Sequence, residues 1–313
     1  MRIEYHRTLL TDRVRNQAFH DALRRVIVPG KSIVADIGCG TGFLGFLAAR
    51  LGAKRVYLVE RGEVVDVARK LARVNGIRNI EIVPAHSTDV TPPKLADVVV
   101  SETLGNYPFE ENIIETLADA RARYLAPGGV MIPDAVTQYV APVTADTVWK
   151  EIAAWDEVGF DLDFSVARRM SLNNIYVRRI APRDLLDGAR SAVAFDAVDL
   201  MKAARTARTG EASWAVGARG QRFWGLALWW TARLTGDIAI STGPLDPPTH
   251  WEQLYLPILE PIDVPAGGTL EAHIRSTTSY EKGTNLTWRV ITKDARGKEV
   301  ANQAMDLERG FLP

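Results

Sequence analysis

The sequence has a single cysteine, Cys39, in 313 residues, so no disulfide can close within the chain and a reducing, cytoplasmic setting is the expectation. It has no excess of either charge: 38 basic residues stand against 38 acidic ones. Binding to a phosphate backbone draws on a basic surplus, so a nucleic-acid partner is not expected. Long apolar runs are missing. In the first 133 residues the longest uncharged stretch, Ile37 to Ala49, is too short and too rich in glycine to span a bilayer. The N-terminal Met-Arg-Ile-Glu-Tyr-His-Arg alternates charged with apolar residues and offers no apolar core of a signal peptide. Internal repeats and low-complexity tracts are absent too. What is present is an ordinary globular composition, 47% hydrophobic and 24% charged, on a length that suits two domains.

Residues 11–27 place Val14, Ala18, Leu23 and Val26 near helical spacing, which predicts an amphipathic helix. From Ser32 the rhythm changes. Short apolar runs at 32–37, 55–59, 80–83 and 96–100 alternate with helix-like segments at 43–52, 62–75 and 112–125. Pro127-Gly128-Gly129 is expected to turn the chain into a further strand at 130–132. This alternation predicts an α/β class, a doubly wound parallel sheet covered on both faces. Past Pro133 it stops. Segments 135–143, 191–200, 223–234, 268–279 and 286–297 read as strands between turn residues, an antiparallel β barrel or sandwich. The stretch 148–190, with Trp149, Trp155, Phe160 and Phe164, fits neither pattern and reads as a helical insertion. The expected domains are therefore 1–133 and 134–313.

Asp36-Ile37-Gly38-Cys39-Gly40-Thr41-Gly42 lies between a strand and a helix, where glycines let the backbone approach a ligand at the carboxyl end of the sheet. Glu60 closes the second strand, placed to accept hydrogen bonds from ribose hydroxyls. A glycine turn that only permits tight packing is the plainer alternative. Gly40-Thr41-Gly42-Phe43-Leu44-Gly45 also matches the dinucleotide fingerprint of a dehydrogenase. Register and charge weigh against that reading: the first glycine after the strand is Gly38, and Asp36 before it would repel a pyrophosphate but suits a cationic ligand such as S-adenosylmethionine (SAM).

After the fourth strand, residues 101–111 (Ser-Glu-Thr-Leu-Gly-Asn-Tyr-Pro-Phe-Glu-Glu) carry three carboxylates and no basic residue. Glu110 and Glu111 alone are explained as first-turn residues of a helix starting near Asn112, favoured by its dipole. Glu102, at a buried strand end, is not, since charged residues are seldom buried unpaired.

The stretch resembles the double-glutamate loop of the protein arginine methyltransferases, Ser-Glu-Trp-Met-Gly followed by a second glutamate. By spacing the pair is Glu102 and Glu111, with Gly105 as the loop glycine, and Glu110 is left as a solvated charge at the helix start. Thr249-His250-Trp251 resembles the family's Thr-His-Trp loop, and His6, Asp12 and Arg15 stand at the spacing of its first helix. The resemblance covers nearly the whole chain and implies a SAM-binding Rossmann-like sheet, a β-barrel domain and a dimerisation arm at about 148–190, hence a homodimer. It implies SAM as cofactor, with no metal, held by His6, Arg15, Asp36, Gly38, Gly40, Gly42, Glu60, Ser87 and Thr88, with Arg15 on the SAM carboxylate. It implies chemistry by Glu102, Glu111, His250 and Asp12, with Trp251 and Gly105 toward the substrate and the Asp12–His250 pair as a proton exit.

Physical chemistry agrees with that assignment. SAM is a sulfonium cation, and arginine keeps its charge at any working pH. Unit charges about 4 Å apart repel by about 4 kcal/mol at an effective dielectric near 20, so the two reactants need counter-charge to share a pocket. Paired carboxylates supply it and match the planar donor fork of a guanidinium. Departures surround the acceptor: the family's Trp and Met are Thr103 and Leu104, Ile113 stands two after the second glutamate, and Tyr5 is all that remains of an aromatic lid. Two further readings follow from them, a methyltransferase on the same scaffold with a non-guanidino acceptor and a SAM-binding dimeric protein without turnover.

Overall fold

The computed structural model describes residues 3–312. Its first unit runs α1 (Ile3–Thr11), α2 (Arg13–Val26), β1 (Ile33–Ile37), α3 (Phe43–Arg50), β2 (Arg55–Val59), α4 (Val65–Val74), β3 (Ile80–Val83), β4 (Ala96–Val100), α5 (Ile113–Arg123) and β5 (Leu125–Ile132). The five strands are parallel in the order β3-β2-β1-β4-β5. Central strands carry no polar alternation because both faces are covered: Val34, Ala35, Asp36 and Ile37 are all buried, as are Val98, Val99 and Val100. The chain reverses direction across the sheet between β1 and β4. Ligand crevices of open α/β sheets form at the carboxyl ends of such a strand pair, and both the glycine loop and the glutamate loop leave from there.

The second unit runs β6 (Ala135–Val143), α6 (Thr147–Ala153), α7 (Ser165–Leu172), β7 (Tyr176–Arg178), β8 (Val193–Asp199), β9 (Arg208–Ala215), β10 (Gln221–Thr235), β11 (Ile238–Ser241), β12 (Gln253–Val264), β13 (Thr269–Ser279), β14 (Gly283–Lys293) and β15 (Glu299–Asp306). One antiparallel sheet has the order β7-β12-β10-β6-β8 with β11 on β10; the other has the order β15-β14-β13-β9. A single hydrophobic core runs through both units, from Phe19 and Leu23 of α2 to Trp230 and Trp288 of the barrel. A second cluster, including Trp149, Leu172, Trp229 and Tyr255, seats α6 and α7 against the barrel. Among the described residues no helix is long and apolar enough to cross a membrane.

Three local readings change. The helix expected over 11–27 is α2, but a further helix, α1, precedes it, the two separated at Asp12, whose carboxylate accepts from Arg15 N at 2.9 Å and caps α2. Pro127-Gly128-Gly129 lies within β5, bulging out of register between the Ala96–Leu125 and Val98–Val130 pairs. Strands β7, β9, β11, β12 and β15 were not legible. Pro257 and Pro261 interrupt the pattern of β12, and β9 and β15 are polar edge strands.

Candidate active site

The turn from β1 into α3 needs left-handed backbone, and Gly38, Gly40 and Gly42 provide it with φ of 71°, 52° and 87°. Gly38 N and Cys39 N donate to the Val59 carbonyl at 2.9 and 3.1 Å, which ties the loop to the end of β2. At Gly42, which begins α3, a side chain would meet Phe46 at 2.7 Å. The His6 ring of α1 lies over the loop, with Cε1 3.2 Å from where a Gly40 Cβ would stand. Glu60 accepts from Gly40 N at 3.0 Å and from Gly62 N at 2.6 Å. Asp36 is 1% exposed and accepts from Gly45 N at 2.8 Å. Burial pushes its carboxyl up to about 7 in spite of that bond. It therefore braces α3 as much as it faces the crevice.

Glu102 leaves the end of β4 with its carboxylate buried. Arg15 Nε donates to it at 2.8 Å and Arg15 Nη2 donates to the same oxygen, while Leu104 N donates to the other at 3.2 Å. The guanidinium of Arg15, expected on the cofactor carboxylate, is thus gripped by Glu102, although its side chain still lines the crevice. Glu110 and Glu111 are not in the first turn of a helix. They lie in a turn before α5, separated from it by Asn112 at φ 59°. Glu110 is no free solvated charge either: its Oε1 accepts from Asn106 N at 2.8 Å, in space that a Gly105 side chain would fill. Glu111 points the other way, into the crevice, and makes no ion pair among the described residues. Burial first, then the Glu102 and Glu110 carboxylates, push it up to about 7. Burial, and then the Glu111, Glu102 and Glu110 carboxylates, raise the Tyr5 hydroxyl.

Barrel residues hold this loop in place. Trp251 Nε1 donates to the Leu104 carbonyl at 2.8 Å, Trp230 Nε1 to the Gly105 carbonyl at 3.0 Å, and Glu252 N to Asn106 Oδ1 at 2.9 Å. Tyr107, fully buried, meets the Ser276 hydroxyl of β13. His250 N and Nδ1 each lie 2.8 Å from Asp12 Oδ2. Burial pushes Asp12 up, but the bonds from the His250 side chain, Arg15 N and His250 N outweigh it and leave Asp12 below the ordinary carboxylate range.

A cavity of about 420 Å³ joins these parts, a size suited to a nucleotide-like ligand. It brings together His6, Arg15, Asp36, Gly38, Gly40, Glu60, Ser87, Glu102 and Glu111. Six expected residues stand outside its wall. Gly42 serves the helix turn, and Gly105 makes room for Glu110. Thr88 is exposed, with Oγ1 3.0 Å from Asp89 and 2.7 Å from His86 Nδ1. Trp251 is 4% exposed and stacks edge-on against Trp230, so it supports the loop instead of facing substrate. Asp12 and His250 form their pair outside the lining, and among the described residues His250 Nε2 is buried without a partner. Sequence reasoning missed Arg61, His86, Asn112, Thr116 and Tyr280 in the lining. Thr116, one turn into α5, was within reach of the helix register; Tyr280 comes from the far end of a hairpin that no local pattern connects to the cavity. Among the described residues His6 Nε2 and Asn112 Oδ1 are buried without partners, so the lining holds spare polar capacity of the kind a nucleoside ligand uses.

The family model described as arginine methyltransferase oligomerization subdomain matches residues 134–290, half of the chain. The chain belongs to the protein arginine methyltransferase family. A second model, ribosomal protein L11 methyltransferase, matches 20–140. Among curated members of the arginine methyltransferase family, the probable protein arginine N-methyltransferase 3 of Arabidopsis thaliana is 32% identical over 302 residues, covering 86% of this chain and 49% of its own length. Protein arginine N-methyltransferase 6 of Xenopus laevis is 28% identical, covering 84% and 80%. The chain thus spans about half the first relative and four fifths of the second. In fold it is similar to the Trypanosoma brucei PRMT1 enzyme–prozyme heterotetrameric complex with AdoHcy, at a TM-score of 0.87 and 24% identity over 97% of this chain and 98% of that one. Arabidopsis thaliana protein arginine methyltransferase 10 gives 0.82 at 21% identity over 98% of each chain. The α/β sheet with its barrel is the fold of this family.

Proposed function

We propose that this chain is a SAM-dependent N-methyltransferase acting on a guanidino nitrogen of arginine, in a protein, a peptide or a small molecule. The observation that carries the reading is Glu111, a partly exposed carboxylate that lines the cavity together with Glu102 and has no ion pair among the described residues, where burial and then the neighbouring carboxylates make its ionisation costly. A guanidinium donates to two carboxylates at once and removes that cost. Glu60, at the end of β2, is placed for ribose hydroxyls, and the backbone of Gly38–Gly40 leaves room for a ligand to approach. Arg15 and His6 flank the amino-acid end. SAM supplies the electrophilic methyl group. Glu102 and Glu111 hold the acceptor, draw its positive charge onto the nitrogens they grip and leave the third nitrogen free for in-line attack; most of the acceleration is positioning. The proton lost by the methylated nitrogen leaves through the cavity carboxylates. Isotopically labelled SAM incubated with arginine peptides and free guanidines tests the reading: the label is expected on a guanidino nitrogen, and its transfer solely to another nucleophile refutes it.

The same reading includes a homodimer. Trp149 is buried and donates to the Ile258 carbonyl at 2.8 Å, so the base of the arm packs on its own barrel. Its tip does not: Phe160 is 90% exposed, Leu162 63% and Val166 74%. An apolar groove of about 300 Å³ between α3 and α4, lined by Phe43, Phe46, Leu47 and Leu71, offers a second copy's arm a matching surface. The buried lone thiol of Cys39 suits a reducing cytoplasm.

A further inference from the structure

The cavity is closed at one end by a residue from the wrong unit. Tyr280 sits at the turn between β13 and β14, yet it lines the cavity beside His86, Ser87, Asn112 and Thr116. Its hydroxyl is 2.8 Å from Thr116 Oγ1 of α5. Its ring stands edge-on to His86, with centroids 5.8 Å apart and planes at 81°. Half of its surface is exposed, so the ring has a face to offer.

Its position along the cavity decides what that face meets. The carboxylates Glu102 and Glu111 and the guanidinium of Arg15 mark the end where charge is handled. Glu60 marks the ribose, one strand over at the end of β2. The segment beyond β3, with His86 and Ser87, together with the start of α5, forms the remaining end. A nucleoside whose ribose lies on Glu60 and whose charged tail lies toward Arg15 has its base there.

We infer that Tyr280 is the cap of the cofactor's adenine: the ring, fixed by its bond to Thr116 and steadied by the edge of His86, stacks on the base and makes a barrel hairpin part of the cofactor site. The inference rests on the SAM reading above and adds a positioning residue to it. Asn112 Oδ1, in the cavity lining and buried without a partner among the described residues, is an acceptor of the kind that the exocyclic amino group of adenine calls for. Stacking on an aromatic ring is strong enough to show in affinity when the ring is removed.

Two probes separate this role from others. S-adenosylhomocysteine carries base, ribose and amino-acid tail; 5′-methylthioadenosine carries base and ribose alone. Binding of each to the full-length chain is measured by calorimetry for wild type, Tyr280→Ala, Tyr280→Phe and Arg15→Ala. Tyr280→Ala is expected to weaken both probes by about tenfold, and Tyr280→Phe, which keeps the ring and loses the bond to Thr116, by about two- to threefold. Arg15→Ala is expected to weaken S-adenosylhomocysteine and leave methylthioadenosine nearly unchanged. Unchanged affinity in Tyr280→Ala overturns the inference, as does a loss confined to S-adenosylhomocysteine, which would place the ring's effect on the tail or on the packing of the two units. No binding of either probe by wild type overturns the SAM reading itself.

Discussion

Glu111 gives the sharpest test because its charge state is set by burial and by the neighbouring Glu102 and Glu110 carboxylates. Its carboxyl sits at about 7 in the free protein, raised by burial and then by Glu102 and Glu110. The acceptor guanidinium is charged throughout the working range, so it contributes no titration of its own. Only the ionised form of Glu111 can grip it. A group with a midpoint near 7 is ionised to about 9% at pH 6 and about 91% at pH 8, so kcat/KM for the guanidino acceptor is expected to rise about tenfold over that interval and then level off. Glu111→Gln keeps the shape and removes the charge. It is expected to lower kcat/KM by about 100-fold or more, the scale of one preorganised electrostatic contact, and to abolish the acid limb. Glu102→Gln should lower the rate as far, while Glu110→Gln, whose partner is Asn106 N, should stay within a few-fold of wild type. The assay is initial-rate methyl transfer at saturating SAM from pH 5.5 to 9. An acid limb that persists in Glu111→Gln with the same midpoint refutes the assignment and hands the limb to Asp36, the other cavity carboxylate raised to about 7.

The same shift carries a stability prediction. Glu111 is protonated more readily in the folded chain than its ordinary value of 4.5 allows, so the fold binds more protons than the unfolded chain between about 4.5 and 7 and loses stability as pH rises through that window. Glu111→Gln is therefore expected to match wild type in Tm only below the ordinary value, at about pH 4 or lower, and to exceed it at pH 8, measured by scanning calorimetry; equal Tm values at pH 8 contradict the shift. Arg15 and Glu102 have side chains only 6% and 5% exposed, so Arg15→Ala leaves a buried carboxylate unpaired and should cost about 3–5 kcal/mol in denaturant unfolding, with much of it regained in Arg15→Met/Glu102→Leu. If the double variant is as unstable as the single one, the pair is not the source of the loss. Phe160→Asp at the arm tip should yield a monomer by sedimentation at micromolar concentration, and an unchanged dimer moves the interface elsewhere.

Much of this molecule was legible in residue order, and the reason differs by layer. The parallel sheet was readable because buried central strands are continuous apolar runs: β2 at 55–59 and β3 at 80–83 fall where the sequence puts them. Glu102 stood out because a charged residue at a buried strand end has few structural explanations, whereas Glu111 and Arg15 were singled out by the family resemblance; all three line the cavity. Roles that depend on where a side chain turns were harder. Neither spacing nor chemistry tells Glu110 from Glu111 with certainty; the left-handed Asn112 and the crowding at Gly105 do that. The tie from Trp251 to the glutamate loop was not legible, because a tripeptide does not reveal that its indole N–H is taken up by the Leu104 carbonyl. Tyr280 was invisible, since its neighbours Thr116 and His86 lie more than a hundred residues away in the chain.

The ties between barrel and glutamate loop also set an order of events. Leu104, Gly105, Asn106 and Tyr107 are secured by Trp251, Trp230, Glu252 and Ser276, all from the last third of the chain. During synthesis the sheet, with its glycine loop, leaves the ribosome long before those partners exist, and domains generally fold as they emerge. Contacts of such long sequence separation are slow to close. The nascent protein is thus expected to form the glycine loop first and to complete both the glutamate loop and the Tyr280 end of the cavity last, so that a product truncated before the barrel carries an unfinished crevice.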